Sequence, residues 1–295
     1  MRIAVTGKAG QVVTSLIERG AAAGHEVIAL GRPELDLAEP ASVARALEAA
    51  APDAIVSAAA YTAVDAAESE SDLAHAVNGA GAGAVAQVAK TLGVPLVHIS
   101  TDYVFDGTLD RPYVESDPTG PTGVYGASKL AGEQAVLAAH GHNSAVLRVA
   151  WVYSPFGANF VKTMLRLAGD RNEVSVVGDQ HGNPTSALDI ADGVIRVATN
   201  MVCNSYPELH GIFHMTASGE ASWADFAEAV FAASAARLGP SAQVRRITTA
   251  DYPTPAKRPA NSRLDCSRIA KAHGVVLPDW RQSLESVMAR LRSAV

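Results

Sequence analysis

Apolar residues in the first half of the chain fall into short blocks of strand length. Residues 2–6, 26–30, 54–58, 95–100 and 144–149 are nearly continuous in Val, Ile, Leu and Ala, which predicts buried β-strands. Between them, residues 12–18, 41–47, 74–92 and 128–137 carry helical patterning. Strands without polar alternation, separated by helices, imply a parallel sheet covered on both faces: an α/β, doubly wound fold. Such sheets bind ligands beyond the carboxyl ends of their strands. Gly7, Arg32, Ala60, Thr101 and Trp151 each follow a predicted strand and so share that edge.

Beyond about residue 155 the alternation breaks down. Proline-containing loops occur at 178–185 and 252–259, with helical stretches at 189–199 and 222–237. The expected organisation is a dinucleotide-binding domain over 1–154, rejoined by a return segment near 186–200. The remainder of 155–295 would form mainly a smaller, discontinuous C-terminal substrate-binding domain. No internal repeat or low-complexity tail is present.

Two motifs carry candidate chemistry. Gly7-Lys8-Ala9-Gly10-Gln11 links the first strand directly to the first helix. A strand, glycine turn and helix aim free backbone N–H groups and a helix N-terminus at a pyrophosphate, which makes the sheet Rossmann-like. A third glycine usually follows three residues on; Val13 stands there, widening the packing contact without removing a phosphate-facing N–H. The second motif is Tyr125-Gly126-Ala127-Ser128-Lys129. Residues four apart on a helix share a face, about 6 Å apart along the axis. A nearby ammonium lowers a phenol's pKa from about 10, so Tyr125 is a candidate general acid for a carbonyl receiving a hydride. On residues alone, Trp151 reads also as a core tryptophan and Arg258 as a solvated loop arginine. Thr101 reads also as a strand-end residue bonding its own loop, and Asp102 as a loop cap.

Composition narrows the class. With 48% hydrophobic and 18% charged residues over 295 positions, the chain can bury a sizeable core. A net charge of −6 without a Lys/Arg cluster argues against nucleic acid. Cys203 and Cys266 lie far apart and outside metal-ligand spacing, which suggests a reducing compartment. His98 and His181 lack partner spacing for a metal. No apolar run reaches the roughly 20 residues of a membrane helix, so a cytoplasmic protein is expected.

These segments resemble the extended short-chain dehydrogenases/reductases and, more narrowly, the dTDP-4-dehydrorhamnose reductases. The narrower likeness rests on Ala60-Tyr61-Thr62, Thr101-Asp102-Tyr103 and residues 258–265, with Trp151-Val152-Tyr153 and Gly178-Asp179-Gln180 in support, and it runs in order through Trp280. The resemblance implies Thr101, Tyr125 and Lys129 as catalytic residues, Thr101 bonding the C4 carbonyl oxygen and Tyr125 protonating it. Lys129 would lower the Tyr125 pKa and bind the nicotinamide ribose. Gly7, Gly10, Gln11 and Val12 would lie at the pyrophosphate, and Asp36 and Leu37 at the adenine. Ala60, Tyr61, Thr62 and Ile99 would line the rest of the cofactor, and Asp102, Trp151 and Arg258 would meet the sugar nucleotide. NADPH is the expected cofactor, with NADH possible, because Arg32 stands where NAD-selective sheets place an acid. The expected substrate is a dTDP-sugar. Alternatives are another nucleotide-sugar 4-ketoreductase or epimerase, and a non-catalytic cofactor-binding regulatory subunit. The assembly would be a monomer or homodimer. Mg2+ enters only as a family-level possibility, since Ser15 occupies the first-helix position where the resemblance would put a metal-binding glutamate; no metal ligand is assigned.

Overall fold

The computed structural model describes residues 1–293. The first half runs β1 (Arg2–Thr6), α1 (Gln11–Ala22), β2 (Glu26–Leu30), α2 (Pro40–Ala50), β3 (Ala54–Ser57), α3 (Val64–Ala67), α4 (Ser71–His75), α5 (Gly81–Leu92), β4 (Leu96–Thr101), α6 (Val124–His140) and β5 (Ser144–Val149). The second half continues β6 (Val152–Tyr153), α7 (Phe160–Asp170), β7 (Glu173–Val177), β8 (His181–Gly182), β9 (Thr185–Ser186), α8 (Ala187–Cys203) and β10 (Gly211–His214). It ends with β11 (Ala221–Ser222), α9 (Trp223–Ala235), β12 (Gln243–Ile247), α10 (Ser267–His273) and α11 (Trp280–Ser293).

Six strands form the main sheet in the order β2-β1-β3-β4-β5-β10, and every neighbouring pair is parallel. This is the doubly wound, Rossmann-like sheet expected from the apolar runs. Every residue of β3, β4 and β5 is buried, which is why those strands show no polar alternation. Their side chains divide between two layers. Ile3, Val5, Val56, Val97 and Leu147 face Leu16 of α1 and Ile190 and Val194 of α8. Ala4, Ile55, Leu96 and Val146 face Val43 and Leu47 of α2, Val85 of α5 and Val136 of α6. Strand order reverses at β1, which has β2 on one side and β3 on the other. Reversal opens a crevice at the carboxyl ends.

A second apolar core forms around Tyr153, Val161, Met164, Phe226, Val230, Trp280 and Val287, beside the parallel pair of β7 and β12. The return to the main sheet runs through α8 into β10, and Ile269 of α10 joins the same core. That excursion extends beyond the predicted 186–200. The helix expected over 74–92 is also broken: residues 76–80 form a π-helical turn between α4 and α5. The turn presents Asn78 inward, where Nδ2 donates to Tyr61 O (3.0 Å) and Ser128 Oγ (2.9 Å) while Oδ1 accepts from Tyr61 N (2.8 Å). Single π turns occur frequently at functional sites, and this one ties a cleft loop to α6. No helix among the described residues is long and apolar enough to cross a membrane.

Candidate active site

A cleft of about 690 Å³ lies at the carboxyl ends of the main sheet, closed on its far side by residues of the second core. Of the residues anticipated from sequence, Gly7, Gly10, Gln11, Val12, Ala60 and Thr62 line one part of it. Ile99, Thr101, Asp102, Tyr125, Lys129 and Trp151 line another. Arg32, Asp36, Leu37, Tyr61 and Arg258 stand outside its wall.

The glycine turn is shaped for a phosphate. Gly7 has φ +104°, a conformation L side chains avoid. Thr6 Oγ1 accepts from the backbone N–H groups of Ala58 and Ala59, both at 3.0 Å, and locks the ends of β1 and β3 together. Gly10 caps α1 without any side-chain hydrogen bond, so the helix N-terminus keeps unsatisfied donors for an anion. Nothing lies within 4 Å of where a Gly10 Cβ would be. Val13 packs into the main core and also lines the cleft beneath the turn. The Gln11 side chain points across the cleft: Oε1 accepts from Ser154 Oγ (2.8 Å) and Asn159 Nδ2 (3.1 Å).

At the other end, α6 lies against β4 closely enough to bury its polar residues. A Cβ on Gly126 would fall 2.2 Å from Tyr103 O, which explains the glycine beside Tyr125. Glu68 Oε1 accepts from Val124 N (2.8 Å) and so caps the first turn of α6. Lys129 Nζ donates to Ile99 O (2.7 Å). Thr101 Oγ1 donates to Asp102 Oδ1 (3.0 Å) and accepts from Tyr103 N (3.2 Å). The Tyr125 ring meets Tyr103 edge-on with centroids 5.7 Å apart.

Burial dominates the electrostatics here. It pushes the Tyr125 phenol up to about 12, against a pull from the Thr101 hydroxyl. It pushes Lys129 down to about 8, against the support of Glu133. Asp102 rises to about 7 for the same reason, opposed by the Ser262 and Thr101 hydroxyls; its Oδ2 has no partner within hydrogen-bond geometry. In the protein alone, the lowering of Tyr125 expected from Lys129 is outweighed by burial. Both groups lose solvation, and the ammonium is directed at Ile99 O. The phenol is therefore held protonated, as a weaker acid than a free tyrosine, and the lysine is largely charged at neutrality.

Beneath this end lies a buried ion pair. Arg148 Nε and Nη2 donate to Glu133 Oε1 (2.9 Å) and Oε2 (2.7 Å), and Ser100 Oγ donates to Oε1 (2.5 Å). It joins β4, β5 and α6 one helical turn below Lys129.

Trp151 sits at φ +47°, unusual for a residue with a large side chain. Its ring stacks on Trp223 with centroids 3.6 Å apart, and Nε1 donates to Ser262 Oγ (3.1 Å). Trp223 and Phe160 also line the cleft and escape a reading of the sequence. Each opens a helix of the second core and reaches the cleft only through long-range packing. Just past β2, Arg32 is exposed and forms no hydrogen bond or ion pair among the described residues, while Lys8 pairs with Glu34. Asp36 caps its own loop by accepting from Ala38 N (3.0 Å), and Leu37 is buried with α2 and α5. Ser15 is buried and donates to Gln11 O (2.8 Å). Among the described residues no group of three or more His, Cys, Asp or Glu side chains is placed to hold a metal.

The family described as RmlD substrate binding domain matches residues 1–293. A dTDP-4-dehydrorhamnose reductase of Sinorhizobium fredii is 53% identical over 283 residues, covering 96% of this chain and 95% of its own. The crystal structure of such a reductase from Clostridium acetobutylicum superposes with a TM-score of 0.91 at 35% identity, over 99% of this chain and 100% of that one. One from Bacillus anthracis, solved in complex with NADP, gives 0.89 at 34% identity over 98% and 99%. On full-length similarity in both sequence and fold, the chain belongs to the dTDP-4-dehydrorhamnose reductase family.

Proposed function

We propose that the protein reduces the C4 keto group of dTDP-4-dehydro-6-deoxy-L-mannose to give dTDP-L-rhamnose, with NADPH as the preferred reductant. The observation that carries this is the meeting of Thr101, Tyr125 and Lys129 in the same cleft as the glycine turn. A regulatory subunit that only binds cofactor does not need the first three, and the relatives named above are reductases, not epimerases.

Gly7, Gly10, Gln11 and Val12 would hold the cofactor's pyrophosphate, with Ala60, Tyr61, Thr62 and Ile99 along its length and Asp36 and Leu37 about the adenine. When bound, the dihydronicotinamide supplies the hydride. Thr101 Oγ1 orients the substrate's carbonyl oxygen. Tyr125 delivers its phenolic proton to that oxygen as negative charge develops. Lys129 places a positive charge beside the phenol, stabilising the tyrosinate left behind, and reaches the ribose. Asp102 and Trp151 flank the sugar. The division of labour follows the two cores: the main sheet, with residues 1–154 and the return through α8, would bind cofactor, and the rest would bind the sugar nucleotide. There Arg258 would contact the diphosphate.

The test is NADPH oxidation followed by absorbance, with the keto-sugar nucleotide as substrate and the rhamnose product identified by NMR. Cofactor binding without turnover would leave only the regulatory reading. Turnover giving a different C4 configuration would assign the site to another ketoreductase.

A further inference from the structure

Helix α3 follows the cleft loop at 60–62, and its Asp65 reaches far along the chain. Asp65 Oδ2 accepts from Arg258 Nη2 (2.8 Å), and Oδ1 accepts from the backbone N–H of Ala256 (3.1 Å). Arg258 Nη1 donates to Ala256 O (2.9 Å). A guanidinium has five N–H donors in a fixed fork. These contacts use two, and among the described residues nothing accepts from Nε. The arginine side chain is 20% exposed, its partner 44%. Both charges act on the phenol of Tyr103, which lines the cleft and meets Tyr125 edge-on. The pair thus stands at the cleft rim, one ring removed from the proton donor.

An ion pair this exposed adds little to stability, yet it fixes a long side chain on a loop containing three prolines between residues 253 and 259. We propose that Asp65 is a positioning residue for substrate binding: it sets the Arg258 guanidinium so that the remaining N–H donors face an incoming diphosphate. The inference rests on the reading above that Arg258 contacts the diphosphate. Ordering Arg258 before the ligand arrives removes a rotamer cost from the binding step, since a free arginine side chain has many rotamers to lose. The carboxylate remains bound to the guanidinium throughout, as the outer half of a relay from α3 to the ligand.

Steady-state kinetics and NADPH titration on Asp65→Ala, Arg258→Ala and the double variant test this. Each single change should raise KM for the sugar nucleotide about tenfold, the scale of one charge-assisted hydrogen bond. kcat should fall far less, and NADPH affinity should hold, which also reports an intact fold. The double variant should be no worse than Arg258→Ala alone. Asp65→Asn, which keeps the shape and one acceptor, should recover part of the loss and serves if the alanine variant fails to fold. A raised KM in Arg258→Ala with an unchanged or lower KM in the Asp65 variants would overturn the inference, as would additive losses in the double variant. An unchanged KM in Arg258→Ala would instead remove the diphosphate reading itself.

Discussion

The end of the cleft that holds Thr101, Tyr125 and Lys129, and the surface beyond its other end that holds Lys8, Arg32 and Glu34, are made of opposite materials. At the first, Thr101 and Asp102 are buried beside Lys129 of α6, and burial is the leading cause of the shifts at Tyr125, Asp102 and Lys129. At the second, Arg32 is exposed and Lys8 and Glu34 pair with side chains 45% and 60% exposed. Charge in the buried region acts through a low dielectric, where each hydrogen bond counts for more and each orphaned group costs more. Charge in the exposed region is screened within about 10 Å at ordinary salt. A cleft can therefore fix its chemistry rigidly at one end while leaving cofactor choice open to small adjustments at the other.

If that contrast is right, changes at the buried end should cost decades. Tyr125→Phe removes only the transferable proton, so turnover should drop by about 10²–10⁴ with NADPH still bound. A variant retaining more than about half the wild-type rate would contradict the proton-donor role. Glu133→Ala leaves Arg148 charged and buried, with Nη1 already lacking a partner. Breaking a buried pair in this way costs about 3–5 kcal/mol, measurable as a lower urea midpoint. A loss below about 1 kcal/mol would show that water reaches this region and that it is less buried than described.

Lys129 gives a smaller, pH-dependent effect of definite sign. Its pKa of about 8 lies below the ordinary lysine value. In the free enzyme, kcat/KM should fall above that pH by about tenfold per unit as the ammonium is lost. Stability should move the other way. Between about 8 and the unfolded value near 10.4 the unfolded chain binds more protons, so the penalty of the buried ammonium fades as pH rises. An activity limb unmoved in Lys129→Arg, which stays charged, would assign the alkaline loss to another group.

How far the sequence alone reaches follows the same division. The bounds of β1, β2 and β5 are legible to the residue, because each is a short, mostly apolar block of strand length. The glycine turn and the Tyr125–Lys129 spacing are local, so they too are visible. The π turn at 76–80 is not, because its cause is Asn78 bonding to Tyr61 and Ser128, neither of them a sequence neighbour. Trp223 and Phe160 escape for a related reason: each is an ordinary aromatic at a helix start until the second core folds over the sheet. The direction of the Tyr125 shift also depends on burial, which no four-residue spacing conveys.

The smallest expected effect belongs to Arg32 and tests the exposed end directly. The strand β2 ends without the acidic residue that would accept the ribose hydroxyls of NAD and repel a 2′-phosphate. Of the two cations near that position, Lys8 is already matched by Glu34, whereas Arg32 has no partner among the described residues and remains available to a phosphate. In solvent such a pair is worth about 0.2–1 kcal/mol. Arg32→Ala should therefore lower kcat/KM for NADPH by about 1.4- to fivefold while leaving the NADH value in place. Raising the salt should shrink the wild-type preference toward that of the variant, because both read the same screened charge. A loss shared equally by NADPH and NADH would place Arg32 on a part of the cofactor common to both. A loss of a hundredfold or more would mean that the bound cofactor buries this end as well, and the contrast between the two ends would then belong only to the free enzyme.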